Sequence, residues 1–289
     1  MAAVARMRKT IYAMRKKPYY GFILYSHHMQ TLPDIRRLFH PRQPSLRHAD
    51  NGVMYTELLP HPALSTFIYC YWELYTTRPL SGPFSYRVVA DGCMDIFVNA
   101  FNPEESWLAG FSASYSEFAL EKEFHYTGVR FLPSAFPLLF GIPASDMTDR
   151  VEPLDMLLPD IAKELSRLVS PEKFDDCFLP VLAGSQFRVD TRFFDAMDRI
   201  LQSKGTLQAE QLAEGISVRQ LRRLFDQYVG ESPKTFSKVV RFQQILQAKP
   251  SVESLRRNKI FYDAGYYDQA HFIREFRAMY GLPPNTALK

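Results

Sequence analysis

With 289 residues, 46% of them hydrophobic and 23% charged, the chain has the mixture of an ordinary soluble protein and the length of two domains, which excludes wholesale disorder and a fibrous architecture. No apolar run approaches the roughly 18 residues that a membrane helix needs. Three cysteines (Cys70, Cys93, Cys177) are too few for a disulfide scaffold and fit a reducing, cytoplasmic setting. The net charge of +4 is unevenly spread. Residues 1–48 hold ten Lys/Arg against one acid, residues 49–189 nine against nineteen, and residues 190–289 sixteen against eleven. A basic start and end around an acidic middle suggest that one part of the chain meets a polyanion and another does not.

Residues 1–52 read as a basic extension. Arg/Lys clusters lie at Arg6–Lys9, Arg15–Lys17 and Arg36–Arg37, with prolines at 18, 33, 41 and 44. Val4, Met7, Ile11 and Met14 have the spacing of a short amphipathic helix. Two readings stay open: an arm drawn to DNA or to a membrane surface, or a loosely ordered extension upstream of a start at Met29 or Met54.

Residues 53–175 read as a β-rich domain with a trailing helix. Phe84–Ala90 and Cys93–Asn99 flank Asp91-Gly92, a turn dipeptide able to supply positive φ, so the pattern predicts a hairpin. Trp107–Phe111 and Phe124–Phe131 are further strands, Gly141–Arg150 a loop, and Leu157–Val169 a helix. Its polar candidates, His61, Asp91, Cys93, Asp95 and His125, have no metal-ligand spacing, and no nucleophile elbow or phosphate loop is present. Neither an enzyme nor a cofactor is expected. A catalytic domain tethered to DNA would need a reactive or metal-bound cysteine set, and only Cys70 and Cys93 lie here.

After a linker over 176–192, residues 193–289 change to helical periodicity. Phe193–Leu201 and Leu207–Ala213 are helices. Ser217 is a good N-cap for a helix whose apolar stripe is Leu221, Leu224, Phe225 and Tyr228, with Gly230 as its breaker. Ser232-Pro233 starts a second helix running to about Gln247, a rod of roughly 21–24 Å. The pattern then repeats. A short segment ends at Ala264, Gly265 turns, and Asp268 caps a helix with Phe272, Phe276 and Tyr280 on its core face. Two helix-turn-helix units joined by a stiff helix suggest a two-point reader of DNA, with the second helix of each unit in a major groove and the two about one helical turn, 34 Å, apart.

The runs Ser-Val-Arg-Gln-Leu-Arg-Arg-Leu-Phe (217–225), Gly-Glu-Ser-Pro-Lys-Thr-Phe (230–236) and Ala-Gly-Tyr-Tyr-Asp-Gln-Ala-His-Phe-Ile-Arg-Glu-Phe (264–276) resemble the DNA-binding domain of AraC-type bacterial transcription regulators. Asp-Gly-Cys-Met-Asp-Ile-Phe-Val-Asn (91–99) and Gly-Val-Arg-Phe-x-Pro-Ser-Ala-Phe (128–136) resemble a sensor-like domain of one branch of that family. Ala213 and Ser217 stand about two residues closer than in the family, and Phe261 replaces its usual small residue. The resemblance implies an α+β protein: a β-rich, cupin-like barrel followed by an all-α domain with two helix-turn-helix units. It implies double-stranded DNA as partner, with a small-molecule effector, RNA polymerase and a second copy of the chain as further partners, and no membrane. The alternative is a ligand-independent dimeric adaptor that uses the middle domain only for protein contacts.

The candidate DNA contacts follow from these helices. In the first recognition helix they are Ser217, Arg219, Gln220, Arg222 and Arg223, since arginine pairs bidentately with guanine. At the start of the connecting helix they are Lys234, Thr235 and Lys238, as phosphate ligands. In the second recognition helix they are Asp268, Gln269, His271 and Arg274, with glutamine suited to adenine. Arg222 and Arg223 have an alternative partner in Asp226 at i+4 and i+3.

Overall fold

The computed structural model describes residues 33–43, 52–186, 190–248 and 265–288. The basic clusters at Arg6–Lys9 and Arg15–Lys17, the alternative starting methionine Met29 and Phe261 lie outside the described residues. Eight strands come first: β1 (Val53–Leu58), β2 (Ile68–Thr76), β3 (Phe84–Val88), β4 (Met94–Asn99), β5 (Ser106–Ala109), β6 (Ser116–Leu120), β7 (His125–Phe131) and β8 (Val151–Pro153). A helix α1 (Ala135–Phe140) intervenes, and α2 (Leu154–Leu157), α3 (Pro159–Leu168) and α4 (Phe174–Gly184) follow. The C-terminal part is helical: α5 (Thr191–Gln202), α6 (Ala209–Leu212), α7 (Val218–Tyr228), α8 (Pro233–Ala248), α9 (Gln269–Tyr280) and α10 (Pro284–Ala287).

The barrel expected from the resemblance is not closed. Six strands form one antiparallel sheet in the order β1-β2-β7-β4-β5-β8, and β3 pairs only with β6 in a separate two-stranded sheet. The main sheet therefore keeps two edges, β1 and β8, among the described residues. Its side chains alternate between two faces, as strand geometry requires. Ile68, Tyr71, Ile96, Val98, Val129 and Phe131 pack toward the helices, while Cys70, Trp72 and Leu74 face the small sheet with Tyr86 and Phe124.

The expected hairpin across Asp91-Gly92 is also corrected. β3 and β4 belong to different sheets, and β4 pairs with β5 and β7. Gly92 does take a positive φ of 76°. The turn carries the chain from one sheet to the other, because Asp91 has stronger partners than a hairpin offers. Its Oδ1 accepts from the Cys93 amide (3.0 Å), and its Oδ2 lies 3.3 Å from Arg130 Nε. Arg130 is 2% exposed and also binds Asp95 through two hydrogen bonds of 3.2 and 2.9 Å. Asp91 and Asp95, read from sequence as polar candidates, thus neutralise a buried guanidinium. His125 pairs with Glu73 at 2.7 Å, and His61 accepts from the Ala63 amide at the start of a helical turn. Burial pushes the Cys93 thiol well above its ordinary range, which suits an unreactive core residue.

Two boundaries differ from the sequence expectation. The linker over 176–192 begins inside α4, whose Phe174, Cys177, Phe178 and Leu182 are buried against the sheet domain. Within the expected extension, residues 34–43 form a strap. Ile35 and Phe39 are buried, and Arg36 donates to the carbonyls of Ser65, Ile68 and Tyr69. The Phe39 ring lies tilted against Phe236 of α8, with ring centroids 6.1 Å apart. The composition is basic, but these apolar positions find a groove between the two domains.

The two domains share one core. Gln243 of α8, fully buried, donates to the Ala90 carbonyl (2.7 Å) and accepts from the Arg42 amide (2.7 Å). The C-terminal end of α7 docks through Gly230, whose carbonyl accepts from Thr148 Oγ1 at 2.7 Å. A Cβ there would lie 2.5 Å from that oxygen, and φ is +93°, so glycine is required twice over. The C-terminal end of α9 docks through Met279 O, which accepts from Ala90 N, and Ala278 O, which accepts from Tyr115 N (both 3.1 Å).

Candidate nucleic-acid interface

The first recognition helix forms for the reasons its sequence suggests. Ser217 Oγ accepts from the Gln220 amide (3.2 Å), and Gln220 Oε1 accepts from the Ser217 amide (3.1 Å), a reciprocal capping box. Leu221 and Phe225 bury the apolar stripe, and Phe225 meets Phe236 of α8 at 6.0 Å between centroids. The opposite face carries Arg219, Arg222 and Arg223, all exposed. None of the three is within ion-pair distance of a described carboxylate. Asp226, the alternative partner, is half-buried. Its carboxyl is pushed up by burial and by Glu231, with Arg222 pulling weakly the other way. Gln220 is exposed, but its oxygen is committed to the cap.

α8 starts at Pro233, where the missing amide hydrogen costs nothing, and Ser232 Oγ accepts from the Thr235 amide (3.1 Å). Lys234 is exposed and Thr235 half-buried, with its hydroxyl 3.0 Å from Ser232 Oγ. Lys238 is half-buried, and its Nζ lies 2.6 Å from Glu275 Oε1.

α9 is capped by Asp268, whose Oδ1 accepts from the His271 amide (2.6 Å). Phe272 and Phe276 are buried, and Phe276 meets Phe242 of α8 at 5.4 Å. Gln269 and Arg274 are exposed and have no described partner. His271 is half-buried, 3.2 Å from Glu275 Oε1 and edge-on to the Tyr266 ring. Tyr267, 86% exposed just before the cap, and Ile273, 38% exposed, were missed as candidates. Adjacent to a buried Tyr266, a second tyrosine reads as core. Only the turn geometry separates the two.

The structure thus brings the exposed Ser217, Arg219, Gln220, Arg222 and Arg223 together on α7, and Gln269 and Arg274 on α9. It turns Lys238 and His271 partly inward onto Glu275. Among the described residues no group of three His, Cys, Asp or Glu side chains could hold a metal ion, and no helix is long and apolar enough to cross a membrane.

Residues 212–289 match a family model described as a helix-turn-helix domain. The C-terminal part of the chain is an AraC-type helix-turn-helix domain. Ahead of the AraC-type domain, residues 56–153 match a domain of unknown function (DUF6597). No curated protein matches the chain in sequence. Among solved structures, ToxT from Vibrio cholerae O395 is 12% identical with a TM-score of 0.36, covering 82% of this chain and 96% of that one. A 1.65 Å structure of Vibrio cholerae ToxT is 13% identical with a TM-score of 0.37, covering 82% and 97%. ToxT from Vibrio cholerae O395 bound to (E)-4-(8-methylnaphthalen-1-yl)but-3-enoic acid is 11% identical with a TM-score of 0.37 and the same coverages.

Proposed function

We propose that this chain is an AraC-type transcription regulator that reads two successive major-groove segments of one duplex through α7 and α9, while the β-rich domain holds both helices from behind. One observation carries the reading. Both recognition helices pack on the same continuous α8 and dock their C-terminal ends on the sheet domain, which leaves their N-terminal ends exposed. The N-terminal residues of a recognition helix are the ones that reach base edges. Arg219, Arg222 and Arg223 then serve as guanine or phosphate contacts, and Gln269 and Arg274 as base contacts. Lys234, with its own amide at the start of α8, faces phosphate. Ser217, Gln220, Thr235 and Asp268 act by capping the helices that present these groups, and Lys238 and His271 by anchoring α9 through Glu275.

A small-molecule effector of the β-rich domain is the second reading. Arg130 Nη1 and Thr127 Oγ1 are buried without a described hydrogen-bond partner. They lie three residues apart on β7 and so on opposite faces of the sheet, and a polar ligand reaching Arg130 from the small-sheet side would satisfy a group whose burial is otherwise costly.

Selection of bound sequences from random duplexes tests the main reading. It should return two boxes about one helical turn apart. A single box, or enrichment without sequence preference, counts against it. A thermal-shift screen of small carboxylates and other polar metabolites tests the second reading, and an Arg130-dependent rise in melting temperature is the supporting result. A flat screen favours the ligand-independent adaptor.

A further inference from the structure

The two helix-turn-helix units touch one another directly, and the contact is built around a single side chain of α8. Arg241 is 15% exposed. Its Nη1 donates to the Gly205 carbonyl (3.1 Å) in the loop that leads into α6, the first helix of the first unit. Its guanidinium carbon lies 5.4 Å from the centre of the Tyr266 ring, in the turn that enters α9. Its Nη2 lies 3.8 Å from Glu275 Oε2, on α9 itself. One planar group therefore holds the first unit by a hydrogen bond and the second by a stack and a charge.

The backbone around it is shaped for close approach. Gly205 has φ +75°, and a Cβ there would lie 2.2 Å from the Ser237 carbonyl and 3.0 Å from Arg241 Cγ. Gly265 has φ +76°, and a Cβ there would lie 3.2 Å from Thr206 Cγ2 and 3.7 Å from Arg241 Cδ. The turn of one unit thus sits against the loop of the other, with Arg241 beneath both. Tyr266 is buried there, and burial pushes its phenol well above the ordinary range, so it remains neutral under the cation.

We infer that Arg241 is a positioning residue that fixes the angle and distance between the two recognition helices, and so sets the spacing between the two DNA boxes. The spacing consequence rests on the two-groove reading above, but the rigid coupling does not. Arg241 touches no DNA in this role. It makes the pair of heads one body, so a one-base-pair insertion, which rotates the second box by about 34–36°, cannot be absorbed by hinging. Lysine is a poor substitute, because a point ammonium lacks the planar fork that reaches the carbonyl and the carboxylate while its face lies on the ring.

Two measurements on the full-length protein test this separately. The first attaches spin labels at Gln227→Cys on α7 and Arg277→Cys on α9, both exposed positions; the three native cysteines are buried. The inter-label distance distribution should be narrow with Arg241 and should broaden in Arg241→Ala without loss of helical circular dichroism. Arg241→Lys should be intermediate. The second measures affinity for the selected two-box site and for spacers lengthened or shortened by one and two base pairs. Wild type should lose about tenfold for each step, whereas Arg241→Ala should bind the native spacing more weakly and vary by less than about threefold across the series. If Arg241→Ala fails to fold, Tyr266→Leu, which removes the stack alone, carries the same expectations at smaller amplitude. A narrow distribution in the folded variants, a broad one in wild type, or a spacer profile unchanged by either substitution overturns the inference. Failure of wild type to bind any two-box site removes the two-groove reading, and the label distances still decide whether Arg241 couples the units.

Discussion

The two recognition helices share a design and differ in chemistry. α7 and α9 each begin at a side-chain cap, end at a glycine of positive φ, pack an aromatic face on α8 and dock their C-terminal ends on the sheet domain. α7 then presents three arginines with no described partner. α9 presents one such arginine near its start, Arg274, beside Gln269, Tyr267 and Ile273, and its His271 faces Glu275. One scaffold thus carries a strongly cationic head and a more neutral one. On the two-groove reading proposed above, the difference implies unequal shares of the binding: salt-dependent attraction concentrated at α7, and discrimination with little electrostatic component at α9.

The largest test of that contrast removes Arg219, Arg222 and Arg223 together. Each should cost about 1–3 kcal/mol where it reads a base, and the slope of log affinity against log salt should fall by roughly 0.9 for each arginine that neutralised a phosphate. Fluorescence anisotropy on cognate and random duplexes over a range of salt gives both quantities. Retention of the full salt slope in the triple variant would move the electrostatic role elsewhere, with Lys234 and the basic clusters of residues 1–32 as the next places to look.

The α9 counterpart should be smaller and of a different kind. Arg274→Ala is expected to cost about 1–3 kcal/mol on the cognate site and little on random DNA. Gln269→Ala should relax the preference at one base position and leave the salt slope unchanged, because no charge is lost. Tyr267→Ala should do likewise with a smaller loss, as expected for an exposed ring against a thymine methyl or a sugar. Selection with each variant reads these out position by position. If Gln269→Ala and Tyr267→Ala alter the salt slope as strongly as the α7 arginines do, the contrast between the heads is wrong.

Much of this was legible in the sequence where local chemistry decides the outcome. Ser217, Asp268, Ser232-Pro233 and the breaker glycines Gly230 and Gly281 mark helix ends through hydrogen bonds between near neighbours, and the structure uses each of them that way. The apolar spacing of Leu221, Phe225, Phe272 and Phe276 marks buried faces for the same reason. The rest depends on partners distant in sequence. Asp91-Gly92 has the local features of a hairpin, and what redirects it is Arg130, 38 or 39 positions later, with which Asp91 pairs. Phe39 lies in a basic stretch, and its pocket is completed by Phe236. The free or tied state of a polar side chain is likewise non-local. Lys238 reads like Lys234 until Glu275 of α9 is placed against it, whereas His271 meets the same carboxylate four positions later on its own helix, a pairing that helix spacing already allows.

The caps offer a control in which the two heads should behave alike. Ser217→Ala and Asp268→Ala each remove an acceptor for a helix-end amide, and each should destabilise the protein by about 1 kcal/mol. Chemical denaturation measures the loss. Binding should weaken only to the extent that the helix frays, so Ser217→Asp and Asp268→Asn, which keep a capping oxygen, should restore most of it. A much larger cost at one cap than at the other would show that the heads differ in support as well as in chemistry.

The smallest expected effect lies behind the first head. Asp190 caps α5, which packs on α7 through Phe193 and Phe225 at 5.0 Å. Its side chain accepts from Arg192 at both oxygens, and that bond holds the carboxyl below its ordinary value. A carboxylate whose pKa is lowered on folding contributes stability above its unfolded pKa, near 4, and loses it as pH falls through the lower folded value. Asp190→Asn keeps the cap and removes the charge. It should therefore be slightly less stable than wild type at pH 7, by a few tenths of a kcal/mol at this exposed site, and equal to it in acid. Amide exchange should place the change in α5 and α7 and leave α9 untouched. Exchange that rises equally in α9 would mean that the coupling through α8 transmits even this small loosening, and that the two heads respond as one.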